Sequence, residues 1–123
     1  MQMILCVGSN KELNEVIKCC ILIGNTGLQE RDVYCVDNFY ENAVANKNIE
    51  LIVFCSYLKV SNRTIVAWKD AYDFLRQYTD KPILLIDAQG IDLEKLMNTK
   101  NTKHLSLPVE VEKLSSAIAE LSN

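Results

Sequence analysis

No run of apolar residues in this chain approaches the ~18 needed to cross a bilayer as a helix, and the opening MQMILCVGSN has neither the basic flank nor the cleavage site of a secretory leader. No membrane association is expected, and the expected compartment is the cytoplasm. Positive charge is in short supply: 13 Lys and Arg stand against 16 Asp and Glu, a formal charge of −3. Direct nucleic-acid binding by this domain is therefore not expected, since the phosphate backbone would repel it. There is no C-x-x-C pair and no Cys/His cluster. The five cysteines, Cys6, Cys19, Cys20, Cys35 and Cys55, are odd in number and lie in apolar surroundings, so neither a disulfide framework nor a zinc site is expected. The patterns G-x-x-x-x-G-K-[ST] and G-x-G-x-x-G are both missing, which removes the main support for nucleotide binding. The lone histidine, His104, has no partner at ligand spacing and reads as a surface or strand-edge residue. No cofactor, metal or catalytic residue is expected.

What is present is an ordinary globular composition, 49% hydrophobic and 24% charged over 123 residues, enough for one domain covering residues 1–123. Met3 to Val7 is a continuous apolar run, which fits a strand buried on both faces, and Gly8-Ser9-Asn10 ends it. From Lys11 the period becomes helical, through Leu13, Val16, Ile17, Cys20 and Ile21, with Ser9 or Asn10 as the N-cap and residues 24–27 as the stop. A short strand over 32–36, a helix over 38–46 and a strand over 49–55 follow, the last being the expected centre of the sheet. Residues 56–62 read as a loop, 63–78 as a helix with Trp68 in its apolar stripe, and 83–86 as a fourth buried strand. A short helix over 92–98, a strand over 104–107 and an amphipathic last helix through Val111, Leu114, Ile118 and Leu121 complete the chain. Five alternations of strand and helix predict an α/β fold, a three-layer αβα sandwich around a parallel sheet.

Three segments carry a resemblance. FYENAVANKNIELIVFCSY runs an Ala-containing amphipathic helix into an acidic residue and an apolar strand. KPILLIDAQG begins a strand with Pro and ends it with a polar residue and Ala, and HLSLPVEVEKLSSAIAEL sets a Pro before an acidic final helix. Over the whole chain this resembles the receiver domains of bacterial two-component response regulators. The resemblance implies five parallel strands in the flavodoxin-like order 2-1-3-4-5 with five helices. It also implies a phosphoacceptor pocket, which here is degenerate. Gly8 and Ser9 stand where the family has the acidic pair that holds magnesium, and Cys55 where the phosphate-accepting Asp ends the third strand. Asp87 stands where a Thr or Ser contacts the phosphoryl group, Leu107 where a Lys precedes the Pro, and His104 near the aromatic switch position. An acyl phosphate needs a carboxylate nucleophile and a hard cation held by oxygen ligands, and these residues supply neither.

The function expected from the resemblance is a non-phosphorylatable signalling module. It would bind a protein partner, or a second copy, through the face made by the fourth helix, fifth strand and fifth helix. The candidate residues are Leu93, Leu96, Met97, His104, Lys113, Ala117 and Glu120; Leu93, Leu96 and Met97 equally fit simple packing on the sheet. The chain ends where a receiver ends, so a DNA-binding output domain, if the natural protein has one, would follow it. Two other readings stay open: a thiol or redox protein centred on Cys55, and a small-ligand sensor using the emptied pocket.

Overall fold

A computed structural model describes residues 3–8, 10–39, 41–55, 58–61, 63–65, 68–88 and 101–122. The elements in chain order are β1 (Met3–Val7), α1 (Lys11–Gly24), a 3-10 turn (Glu30–Asp32), β2 (Val33–Val36), α2 (Glu41–Val44), β3 (Ile49–Cys55), β4 (Leu58–Val60), β5 (Arg63–Ile65), α3 (Trp68–Arg76), β6 (Ile83–Ile86), β7 (Thr102–Leu105) and α4 (Val111–Leu121). Five strands form a parallel sheet in the order β2-β1-β3-β6-β7, with β3 at its centre.

Period-two alternation sorts the buried residues onto two faces. Ile4, Cys6, Leu51, Val53, Cys55, Leu84 and Ile86 turn toward α1 and α4, meeting Ile17, Ile21, Leu114, Ile118 and Leu121. Leu5, Val7, Ile52, Phe54, Ile83 and Leu85 turn the other way, against Val44, Leu58, Ala71, Tyr72 and Leu75. Both faces of the sheet are therefore covered, which is why its central strands are continuous apolar runs. Phe54 is fully buried and packs edge-on against Trp68, centroids 5.0 Å apart. Trp68 itself is half-buried at the margin of that core.

Several sequence expectations need correcting. The strand order 2-1-3-4-5 is replaced by 2-1-3-6-7, because two strands intervene between the third and the next sheet strand. They form an antiparallel hairpin, Leu58–Val60 on Arg63–Ile65, in place of the expected loop and the first turn of a helix. The hairpin has its own alternation: Leu58 is fully buried and Lys59 exposed, and Ser61 takes a positive φ of 55° at the turn. The following helix accordingly starts at Trp68, not at 63. Five helices are not matched either. Among the described residues there are three helices of nine residues or more and the four-residue α2. The helix expected over 38–46 shrinks to α2 because Asn46 closes it, its N–H bonding to Ala43 O and its Oδ1 accepting from Asn48 N. The helix expected over 92–98 lies outside the described residues. The last strand begins two residues early, at Thr102. That hydroxyl is buried among polar groups, 2.7 Å from Tyr72 Oη and 3.2 Å from Arg76 Nη2. Polar residues satisfied in this way break the apolar pattern by which a strand is read.

Candidate functional site

In an open parallel sheet the carboxyl ends of the strands form the natural site. Here they bring Gly8, Cys55 and Asp87 to one end of the sheet, after β1, β3 and β6. The residue that organises this end is Asn14, one turn into α1. Asn10 starts the helix, its Oδ1 accepting from Leu13 N at 3.0 Å. From that start Asn14 falls on the same inward stripe as Ile17 and Ile21, and it is 1% exposed.

A buried amide must satisfy its polar atoms internally. Asn14 Nδ2 donates to Gly8 O at 2.9 Å and to Val36 O at 3.3 Å, and its Oδ1 accepts from Cys55 Sγ at 2.7 Å. One side chain thus ties together the ends of β1, β2 and β3. Two carbonyls need two donors and one thiol needs an acceptor, so only an amide in this orientation fits all three. The network is neutral throughout. Burial pushes the Cys55 thiol up to about 12, with a smaller contribution from Cys35. Cys55 is fully buried and stays a thiol at neutral pH, the opposite of what a reactive cysteine requires.

Gly8 is the second fixed point. A Cβ there would sit 1.9 Å from the carbonyl oxygen of Cys55 and 3.2 Å from its sulfur. The backbones of β1 and β3 approach too closely for any side chain at this position. An acidic residue at position 8 would require the two strands to separate.

The remaining candidates are spread more widely. Asp87 follows β6 with a φ of 58°, and its N–H bonds to Leu105 O at 2.7 Å. Leu107 is 42% exposed on the connection between β7 and α4. It does not join Asn14 and Cys55 in the buried network. Ser9 lies outside the described residues. Among the described residues, no three His, Cys, Asp or Glu side chains converge in a way that could hold a metal ion.

Of the candidate partner face, His104, Lys113, Ala117 and Glu120 line one groove of about 390 Å³ between β7 and α4, together with Lys103 and Ser116. Ala117 is a correction: at 6% exposure it belongs to the core under α4 and offers little surface. Lys103 pairs with Glu120, and Lys113 with Glu110 at 3.6 Å, both on the surface where such pairs contribute little. His104 is half-buried on the edge strand, and its Nε2 accepts from Ala88 N at 3.0 Å. Burial lowers its pKa, against a smaller opposing pull from Asp87. Leu93, Leu96 and Met97 lie outside the described residues. No known family model matches the chain, and no characterised protein matches it significantly in sequence.

Sequence reasoning missed Asn14; the signal that could have found it is a polar residue on the apolar stripe of α1, at the spacing of Ile17 and Ile21. The thiol at the end of β3, read alone as a candidate centre, gains its meaning from that amide.

Proposed function

We propose that this chain is a receiver-like signalling module that works by protein contact and without phosphoryl transfer. The observation that carries the reading is the neutral lock of Asn14 across the strand ends. Where an acyl-phosphate site needs a carboxylate, oxygen ligands for magnesium and open access, this end has a buried amide, a buried thiol and a glycine with no room for a side chain. The five-stranded parallel sheet with both faces covered supports the receiver-like reading of the sequence, in which the flavodoxin-like order is kept if the β4–β5 hairpin is counted as an insertion.

With the switch chemistry gone, the surface that remains for signalling is the groove between β7 and α4, with His104, Lys113 and Glu120 along it. It would take a protein partner or a second copy, in the cytoplasm, and any DNA contact would come from an output domain joined to this one. A redox centre at Cys55 and a ligand pocket at the strand ends both lose support, because Asn14 occupies the space and its Oδ1 engages the thiol.

Incubation with acetyl phosphate and magnesium, read by intact mass, tests the first half of this proposal. An unchanged mass is expected, and a phosphoryl adduct on any Asp or on Cys55 would overturn it. Sedimentation equilibrium tests the second half for self-association. A dimer weakened by Lys113→Glu without loss of fold is the expected result for a homodimer through this face. A dimer that Lys113→Glu leaves intact would place the contact elsewhere.

A further inference from the structure

Three of the five cysteines gather around Asn14 on the α1 face of the sheet. Cys6 and Cys35 are direct partners in the parallel ladder between β1 and β2. Both side chains belong to the α1-side core, Cys6 fully buried within it and Cys35 packed half-buried at its margin. The two thiols lie close enough to perturb each other's ionisation. In its thiol form Cys35 donates in turn to Asn14 O at 3.7 Å. Neighbouring strands lie roughly 4.8 Å apart, inside the Cα separation of about 4.4–6.8 Å that a disulfide spans. The strand carrying Cys35 is an edge strand, hydrogen-bonded in the sheet to β1 alone, so it can draw closer without disturbing a second neighbour.

The three thiols have different chemical settings. The neighbouring Cys6 thiol lowers the pKa of Cys35, and Lys18 on α1 adds to this; desolvation and Glu15 on α1 oppose it. Cys6 moves the other way, first through its Cys35 neighbour and then through burial, with Cys55 adding to it. Cys55 on β3 is held as a thiol. The half-buried Cys35 is thus the more acidic of the pair, and the fully buried Cys6 is its direct neighbour on the adjacent strand. That is the arrangement of an attacking and a resolving cysteine.

We infer that Cys35 and Cys6 form a redox modification site, in which hydrogen peroxide oxidises Cys35 and Cys6 converts the product to a reversible Cys6–Cys35 disulfide. In the first step the Cys35 thiolate attacks one peroxide oxygen, the O–O bond breaks, and hydroxide leaves and is protonated to water. Cys35 becomes a sulfenic acid. In the second step the Cys6 sulfur attacks the Cys35 sulfur, the S–O bond breaks, and the departing hydroxide takes up the Cys6 proton as a second water. Two thiols and one peroxide give one disulfide and two waters. The two electrons lost by sulfur reduce the peroxide. The site is independent of the receiver-like reading, and the phosphorylation result bears on neither step.

The test uses the whole chain, reduced, freed of reductant, treated with hydrogen peroxide under native conditions, then alkylated in denaturant and mapped by mass spectrometry. The expected product joins the Cys6 and Cys35 peptides and is lighter by two hydrogens. It forms at doses that leave Cys55 free to alkylate, and dithiothreitol reverses it. In Cys6→Ala the link is lost and Cys35 is captured as a sulfenic acid by a cyclic 1,3-dione. Should that variant fail to fold, Cys35→Ser keeps the test open: it removes the link and leaves Cys6 a thiol. Cys35 remaining a thiol after exposed Cys19 has oxidised would overturn the proposal, as would a link from Cys35 to Cys20 or Cys55 in place of Cys6.

Discussion

Replacing Asn14 by Asp exchanges one NH2 for an oxygen and changes almost nothing in volume, so it isolates the hydrogen-bond logic of the strand ends. Asn14 makes two donated bonds, to Gly8 O and Val36 O, and one accepted bond from Cys55. In the variant the Cys55 bond can persist, but an acceptor now faces two carbonyl oxygens. A protonated carboxyl restores one donor. An ionised one restores none and leaves a buried charge with no cation beside it, a situation that costs about 3–5 kcal/mol when one partner of a buried pair is lost. The introduced carboxyl therefore has a native pKa raised above its unfolded value of about 3.9. A raised folded pKa means that the variant is at its best below the unfolded pKa and loses stability as pH rises toward the folded one. The limiting slope is about 1.4 kcal/mol per pH unit.

Asn14→Ala is the pH-independent companion. It loses three bonds at roughly 1 kcal/mol each and leaves Gly8 O without a side-chain donor among the described residues, while Val36 O keeps the Gly8 N–H at 3.2 Å. The expected loss is about 3–4 kcal/mol, a large share of the roughly 5–15 kcal/mol of a typical domain. Urea unfolding followed by circular dichroism, at mildly acidic and at neutral pH, reads both variants. The reasoning is refuted if Asn14→Asp matches the wild type within about 0.5 kcal/mol at neutral pH, the range of an ordinary surface change. It is also refuted if that variant gains stability with rising pH relative to the wild type.

Gly8→Ala should cost about 3 kcal/mol, at the upper end for overpacking, because its Cβ meets backbone and not a movable side chain; a urea midpoint within error of the wild type would contradict this. His104 accepts from Ala88 N only when Nε2 is unprotonated. Its folded pKa is lowered, first by burial, so its contribution is present above the unfolded value of about 6.5 and is lost as pH falls through the folded one. His104→Gln should flatten that part of the stability profile, and an unchanged acid slope would count against the assignment. Thr102→Val leaves Tyr72 and Arg76 without the shared hydroxyl and should cost about 1–3 kcal/mol, measured by the same unfolding curves; a stabilised variant would show that the polar cluster contributes nothing.

The buried strands β1, β3 and β6 and the two long helices α1 and α4 were legible in the sequence because each is a strong period. Continuous apolar runs mark strands covered on both faces, and three- and four-residue spacing marks helices. The failures have a common cause. Thr102 starts β7 with a buried hydroxyl that only Tyr72 and Arg76, far away in sequence, can satisfy. The hairpin after β3 is made of three-residue strands, too short for a period to stand out, and it turns at a serine with positive φ. At the site, Gly8 and Cys55 were found from their places at strand ends. That they touch, and that Asn14 is the group between them, depends on a helix crossing over three strands, and no local pattern encodes that crossing.

The central claim is that the buried, neutral Asn14 network at the carboxyl end of the sheet stands where a cation and phosphoryl site would have to be. Beryllofluoride with magnesium mimics an acyl phosphate and needs both a carboxylate and a bound cation, so an amide-resolved NMR titration examines the lock directly. The account predicts no saturable shifts at Gly8, Asn14, Cys55 or Asp87. Magnesium-dependent, saturable shifts at these residues would contradict it.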